Sequence, residues 1–150
     1  MNKNYLKYII WVAVTWCALV RLVDSKAGDA NTKLKKCCKA YEPLQHNKTA
    51  VDECLNKFCD FDSLSQTNVL VFLKHCNGTV VGNMFACASS NHDHTPCCKA
   101  NGVRGRCLEY CSAQDGVPTN YLDYVACLDH FNVIRDCFKN YLDKHPAIKS

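Results

Sequence analysis

Beyond its first 27 residues, the sequence lacks a second long apolar run, an alternating strand pattern and an excess of either charge. No later apolar stretch is long enough to cross a membrane. The polar C-terminus, DKHPAIKS, argues against a lipid-anchor signal. No segment combines period-two alternation with hairpin turns, so a β-sheet is not expected.

The N-terminal segment is typical of a secretory signal peptide, which we place at residues 1–27. A basic start precedes the apolar run YIIWVAVTWCALV, from Tyr8 to Val20. The small residues Ser25 and Ala27 predict cleavage after Ala27. An uncleaved membrane anchor is the alternative, and the charged residues that closely follow the run argue against it. We therefore expect a secreted chain.

Cleavage would also remove most of the net charge. The chain has 18 Lys and Arg against 14 Asp and Glu, and the predicted signal contains four of the former and one of the latter. The mature product would thus be almost neutral. A protein of this charge balance shows no general bias toward nucleic acid.

Cysteine is abundant, with 13 in the sequence, of which Cys17 lies in the predicted signal. An even number therefore remains in an oxidising compartment, which predicts complete pairing into disulfides. Such bridges typically contribute about 2–4 kcal/mol each to stability. The predicted disulfide cysteines are Cys37, Cys38, Cys54, Cys59, Cys76, Cys87, Cys97, Cys98, Cys107, Cys111, Cys127 and Cys137.

These cysteines form two sets with the same order. A CC pair followed by four single cysteines runs from Cys37 to Cys87 and again from Cys97 to Cys137, and both sets begin with CCKA. We infer one six-cysteine unit used twice. Adjacent cysteines rarely bond to each other, so each pair should tie one helix to two different neighbours. The sequence leaves the connectivity open.

Helical spacing of apolar residues recurs in both halves and predicts an all-α, disulfide-rich domain. Residues 51–59 match one face of a helix capped by Thr49. Residues 63–78 predict another helix, ending at Asn77-Gly78. Residues 120–145 contain neither Gly nor Pro and predict one long helix or two joined near Asn132.

The stretch HDHTPCC, residues 92–98, raises the question of a phospholipase. In secreted phospholipases A2, the His-Asp pair follows the cysteine pair on the same helix, whereas His92 and Asp93 precede it here. No Gly-rich calcium loop occurs. We expect Asp93 and His94 to hydrogen-bond backbone at a helix start, with Thr95 as N-cap and Pro96 at the first helical position.

Two other kinds of chemistry are not favoured. Structural zinc sites prefer close C-x2-C pairs, and the cysteine spacings here differ. A cysteine nucleophile needs an unpaired thiol, and no Gly-x-Ser-x-Gly turn is present. We therefore predict no enzyme activity, no catalytic residues, no cofactor and no metal.

A longer pattern resembles a known family. The stretch CASSNHDHTPCCKANGVRGRCLEYC, from Cys87 to Cys111, is followed by a spaced cysteine and by IRDCF, which ends at Phe138. This is similar to the DB module, a cysteine-rich extracellular domain found mostly in nematode secreted and surface proteins. The match extends over nearly all of residues 37–140. The resemblance implies a helical, fully disulfide-bonded extracellular domain without established enzymatic activity.

Surface chemistry adds two hypotheses. The sequons NKT at Asn47 and NGT at Asn77 predict N-glycosylation. A basic cluster at the first CC pair could contact heparin-like glycans or an acidic membrane surface, although such runs are more often a solvated helix face. The cluster consists of Lys33, Lys35, Lys36 and Lys39.

We divide the chain into the signal peptide at 1–27, a short lead at 28–36, the DB-like domain at 37–140 and a tail at 141–150. The favoured function is a non-catalytic, monomeric or loosely associating module that binds another extracellular protein. The alternative is a carrier of a small apolar ligand or lipid; a secreted hydrolase or host-directed effector is favoured less. A carrier would surround its ligand with aromatic side chains such as Phe72, Phe85, Tyr124 and Phe131.

Overall fold

A computed structural model of the protein describes residues 28–41, 48–76 and 78–149, together with Lys7 and Trp11. Within 48–52 it describes the backbone alone. The proposed signal peptide therefore lies almost entirely outside the described residues.

The described chain is helical, and its only β-type pairing is an isolated bridge between Asp93 and Ser112. Its α-helices are α1 (Ala30–Lys39), α2 (Lys48–Phe58), α3 (Val69–His75), α4 (Gly78–Ser89), α5 (Thr95–Ala100) and α6 (Phe131–Lys144). Three 3₁₀ helices lie between α5 and α6, namely η1 (Gly105–Tyr110), η2 (Ala113–Asp115) and η3 (Tyr121–His130). The expected all-α class is confirmed.

Helix α1 begins at a capped end that also docks on the end of α6. The Asp29 carboxylate accepts a hydrogen bond from the Thr32 amide at 2.7 Å, which satisfies one free amide of the first turn. The Ala30 amide donates to the Asp143 carboxylate at 2.8 Å. Lys33 Nζ donates to the carbonyls of Leu142 and Asp143, at 2.8 and 3.0 Å. Residues of the lead and of the tail thus lie within α1 and α6.

The helix predicted for residues 63–78 is shorter than expected. The Asn68 side chain accepts from the Ser65 amide at 2.9 Å and donates to the Ser63 carbonyl at 2.8 Å. These bonds favour a turn over a helix, so α3 begins only at Val69. Gly78 begins α4, so the expectation that Asn77-Gly78 ends this helix was wrong in detail. Thr49 lies inside α2, one residue after its start, and is not its N-cap.

The long apolar pattern near the C-terminus divides into two helices, as one of the two alternatives predicted. The 3₁₀ helix η3 ends at His130, and α6 follows directly from Phe131. Within η3, Tyr124 has non-helical backbone angles, with φ −114° and ψ 16°. The boundary between η3 and α6 falls between His130 and Phe131, close to the predicted point at Asn132.

All twelve cysteines from Cys37 onward are paired, and each bridge joins two cysteines of the same half. Each half has one order: first with sixth, second with fourth, third with fifth. The bridges are Cys37–Cys87, Cys38–Cys59 and Cys54–Cys76 in the first half, and Cys97–Cys137, Cys98–Cys111 and Cys107–Cys127 in the second. Each CC pair joins its helix to two different neighbours, as expected. The repeat is thus present in the covalent topology.

The two halves share one hydrophobic core. Helix α6 of the second half packs against α4 and α1 of the first, and the buried apolar residues of both halves form one continuous cluster. We define this contact surface as the seam. Because every bridge lies within a half, the described residues hold the seam together by packing, hydrogen bonds and the ion pair between Lys139 and Asp62, besides the chain connection at 90–94.

Candidate functional site

The HDHTPCC stretch contributes to the backbone framework. An Asp93 carboxylate oxygen accepts from the Thr95 amide at 2.8 Å, and hydrogen bonds from Thr95 hold the pKa of Asp93 below its usual value. His94 Nε2 donates to the Ser89 carbonyl at 2.9 Å. Asp93 thus bonds to backbone at the start of α5, as predicted, whereas the His94 side chain bonds to backbone at the end of α4. Thr95 is the first residue of α5 and Pro96 the second, so the N-cap is His94.

No group of three or more His, Cys, Asp or Glu side chains suited to hold a metal occurs in the described ranges. The twelve cysteines that a metal or a nucleophile would need are in disulfides. None of the helices described combines the length and the hydropathy needed to span a bilayer.

The lysine cluster of α1 is partly engaged inside the protein. Lys33 binds the C-terminal carbonyls of α6. Lys35 Nζ lies 2.5 Å from the Asp60 carboxylate, and this hydrogen bond raises the pKa of Lys35. Lys36 and Lys39 are exposed. A glycan contact would therefore depend chiefly on those two. Both sequon asparagines, Asn47 and Asn77, lie outside the described residues.

An apolar cleft lies at the seam, with a volume of about 110 Å³. The first half contributes Leu34, Phe58, Asp60, Phe61, Leu64, Val69, Leu70, Phe72, Leu73, Met84, Phe85 and Ala88. The second half contributes Tyr110, Tyr121, Tyr124, Val125, Cys127, Leu128, Phe131, Ile134, Arg135 and Phe138. The cleft therefore requires both halves.

The repeat explains why space remains at this point of the seam. The residue after the sixth cysteine is Ala88 in the first half and Phe138 in the second, and both line the cleft. Three residues before the same cysteines, Met84 and Ile134 line it as well. Phe138 is almost fully buried. The small Ala88 side chain at the equivalent position leaves volume that a second large side chain would fill.

Polar groups in the wall are mostly bonded to other parts of the protein. Arg135 Nη1 donates to the Leu64 carbonyl at 2.8 Å, and Asp60 binds Lys35. The Tyr124 hydroxyl donates to Glu109. The Tyr121 hydroxyl is buried and has no hydrogen-bond partner among the described residues.

Two tyrosines of the wall, Tyr110 and Tyr121, are uncharged at neutral pH. Burial raises the pKa of Tyr110 and of Tyr121 above the usual phenol value. The Tyr110 hydroxyl donates to the Pro118 carbonyl at 3.4 Å. The cleft thus offers an apolar, uncharged surface, since its two ionised groups are already paired.

The mouth of the cleft carries exposed apolar side chains. Leu70 on α3 and Val125 on η3 both line the cleft, yet they are 48% and 46% exposed. Val71, which follows Leu70 in the chain, is 44% exposed, and Leu122, three residues before Val125 on η3, is 84% exposed. We call Leu70, Val71, Leu122 and Val125 the apolar rim. Exposed apolar side chains beside an apolar cleft are typical of interaction sites in soluble domains.

The four aromatics named as candidate ligand contacts, Phe72, Phe85, Tyr124 and Phe131, all line the cleft. Sequence reasoning missed the tyrosines at 110 and 121, the rim and the position of the site between the halves. One signal was present, the Ala88/Phe138 size difference within the repeat.

A family profile described as the DB module matches residues 37–138. The chain belongs to the DB module family. Its match covers both six-cysteine sets, so one DB module comprises the two halves and the seam between them. Neither the curated proteins nor the solved structures contain a match to this chain. The six bridges and the DB module together define a small disulfide-stabilised domain of the extracellular type.

Proposed function

We propose that this DB module is a secreted, non-catalytic interaction protein that binds another extracellular protein by seating one bulky apolar side chain of that partner in the cleft. The observation that carries the proposal is the combination of an apolar cleft at the seam with exposed apolar side chains at its mouth. Secretion is supported by the N-terminal apolar run and by the disulfide-rich domain.

The volume of the cleft selects the size of the occupant. Pockets for drug-sized ligands usually enclose about 300–1,000 Å³, which is several times the 110 Å³ found here. A dry apolar cavity of about 150 Å³ holds benzene. The cleft therefore suits a single ring or branched side chain, such as that of Phe or Leu, and is too small for a lipid chain.

The rim gives the partner's side chain a surrounding contact surface. Binding energy in protein interfaces concentrates in a few anchor side chains that enter well-packed pockets, enclosed by contacts that exclude water. The cleft would receive the anchor, and Leu70, Val71, Leu122 and Val125 would form part of the enclosing contact. Burying their exposed fractions adds hydrophobic stabilisation of about 25 cal/mol per Å² of apolar area.

Toluene, the side-chain analogue of Phe, tests the seat directly. We expect wild-type protein to bind toluene, with NMR shift changes at Ala88, Phe138 and Val125. The variant Ala88→Leu fills the cleft and should lose this binding while keeping its fold. The matched control is Ala126→Leu, because Ala126 is exposed on η3 and does not line the cleft.

The outcome that contradicts the proposed seat is equal toluene binding by wild type and Ala88→Leu, or no binding by a folded wild type. The same variants then test a real partner. A protein cross-linked to the secreted chain in its native extracellular setting should be captured by wild type and by Ala126→Leu, and lost with Ala88→Leu.

The carrier hypothesis keeps one supporting observation, namely that all four named aromatics line the cleft. The volume of the cleft restricts this hypothesis to a small apolar ligand, about the size of one aromatic ring. Mass spectrometry of the protein purified from its native source under mild conditions separates the two proposals. A stoichiometric small molecule that is displaced by toluene would favour the carrier over the protein partner.

A further inference from the structure

The connection between the halves is short and constrained. It runs from the end of α4 at Ser89 to the start of α5 at Thr95. Ser90 and Asn91 both have positive φ, 53° and 49°, a conformation that costs free energy for residues other than glycine. Surrounding contacts must hold this conformation. The Ser90 hydroxyl donates to the Pro146 carbonyl at 3.3 Å and the Asn91 amide to Ser89 Oγ at 3.2 Å, while His94 binds the carbonyl of Ser89.

His94 is the buried joint of this connection, with 3% of its surface exposed. Its Nε2 donates to the Ser89 carbonyl at the end of α4, at 2.9 Å. Its own amide donates to the Cys111 carbonyl of the second half, at 2.8 Å. One residue therefore bonds to both halves across a seam that has no disulfide of its own.

The imidazole also contacts α6 through aromatic rings. The ring centroid of His94 lies 4.6 Å from that of Phe138 and 5.1 Å from that of Tyr141. Phe138 packs against His94 and also lines the cleft. Ala88, next to Ser89 in α4, lines it too. Phe138 thus contacts both His94 and the cleft. A displacement of the imidazole would therefore shift a side chain that lines the binding site.

The groups around this imidazole act in both directions: burial and His92 favour its neutral form, whereas the Ser89 carbonyl and Asp93 favour its charged form, and burial is the largest effect. Asp93 is the one acid beside it, and its carboxylate is bonded to Thr95. His92 lies 5.3 Å away between ring centroids and would add a like charge. From α6 come the rings of Phe138 and Tyr141, and His145 stacks on Tyr141 at 4.1 Å. Helix α4 presents the Ser89 carbonyl to the ring, and the Cys111 carbonyl binds the amide of His94.

Adding a proton therefore places a charge in an apolar, desolvated position. Burial lowers the pKa of His94, although its hydrogen bond to Ser89 offsets part of that effect. Since the folded pKa lies below the unfolded value of about 6.5, stability is unaffected above that pH and falls as the pH drops toward the folded pKa. Attraction between a charged imidazole and the ring faces reduces this loss without cancelling it.

We propose that His94 is an acid-sensitive joint: protonation of its imidazole loosens the contact among Ser89, His94 and Phe138, opens the seam and weakens binding in the cleft. The last step rests on the proposed function, whereas the opening of the seam does not. A partner bound at neutral pH would then be released in an acidic compartment or secretion.

NMR of the intact oxidised protein tests the opening. Phe85 and Tyr110 belong to different halves, and their ring centroids lie 5.9 Å apart. We expect the cross-peaks between these rings to weaken reversibly between pH 7.5 and 5.0, in step with the titration of the His94 imidazole. In His94→Asn, which carries an uncharged amide in place of the imidazole, the cross-peaks should persist at pH 5.0.

Three controls separate His94 from its two neighbouring imidazoles and from an exposed one. His92→Gln and His145→Gln remove its neighbours in the aromatic cluster, and His75→Gln removes an exposed imidazole on α3. All three should retain the pH-dependent loss. If the loss instead disappears with any of them, or if the wild-type cross-peaks survive complete titration of His94, the joint is refuted. The second criterion needs no variant and holds even if His94→Asn does not fold.

Toluene binding tests whether protonation of His94 also weakens binding in the cleft. We expect toluene affinity of wild type to fall at least tenfold from pH 7.5 to 5.0 and to change less than twofold in His94→Asn. Absence of toluene binding at every pH would refute the proposed seat while the cross-peaks still decide the joint. Unchanged affinity with lost cross-peaks would refute the coupling between the two.

Discussion

The two halves of the molecule share their disulfide order but not their secondary structure. In the first half, the third and fourth cysteines are carried by α2 and the residue after it; in the second, by the 3₁₀ helix η1 and the residue after it. The gap between the CC pair and the third cysteine is 15 residues in one and eight in the other. The bridges thus determine topology, while the length of the intervening chain determines which helix forms.

The comparison also locates the site. The equivalent helices α4 and α6 pack against each other, and each carries the sixth cysteine of its half. An exact repeat would place equally large side chains on both. Instead, one helix presents Phe138 and the other Ala88, and the cleft lies where the sizes differ. Departure from the repeat creates the space that the repeat would otherwise fill.

The largest expected effect comes from removing the larger member of this pair. Phe138→Ala deletes a buried ring that contacts His94 and the cleft. Such truncations cost about 3–5 kcal/mol. Guanidinium denaturation of the oxidised protein measures the loss. The cost is large only when the structure around the deleted ring does not collapse into the cavity. A free-energy cost below about 1 kcal/mol would therefore show that Phe138 does not support the seam.

Bridges at equivalent positions should have nearly equal effects. Cys37–Cys87 and Cys97–Cys137 span 50 and 40 residues. Replacing either pair by alanine should cost about 2–5 kcal/mol, and loop length alone separates the two by only about 0.2 kcal/mol.

The bridge Cys98–Cys111 spans only 13 residues, and on the same chain-entropy argument it should contribute about 1 kcal/mol less than the longest one. Denaturation midpoints of the three double variants give the ranking. If the short bridge proved the most stabilising, loop length would not determine how much each bridge contributes to stability.

A smaller effect is expected from the contact between the ends of α1 and α6. Lys33→Met removes two charge-assisted hydrogen bonds to the carbonyls of Leu142 and Asp143. The expected loss is about 1–2 kcal/mol. The control Lys36→Met changes an exposed lysine of the same helix and should cost little. Equal losses in both variants would indicate a general charge effect.

Much of the architecture could be predicted from the residues themselves. Even cysteine number, two sets of one order and helical apolar spacing were sufficient for the all-α class and for the division of each CC pair between two neighbours. Pro96 directly before CC was sufficient to predict the start of α5 within one residue. These predictions depend on residue counts and local patterns, so they do not require knowledge of tertiary contacts.

Other features depend on contacts that no local pattern contains. Apolar spacing cannot distinguish a 3₁₀ helix from an α-helix over a few turns, so η3 was not foreseen. The turn before α3 depends on the Asn68 side chain bonding backbone rather than solvent. The cleft requires both the bridge order and the packing of α4 on α6, because its walls come from residues more than 100 positions apart.

The central claim is that two separately closed halves meet at a seam that no disulfide crosses. Disulfide mapping of the exported protein tests it most directly, with partial reduction and stepwise alkylation because each CC pair remains on one peptide. We predict six bridges, each within 37–87 or within 97–137, in the order first–sixth, second–fourth and third–fifth. A bridge between the two sets, or unpaired thiols among the twelve, would contradict the account.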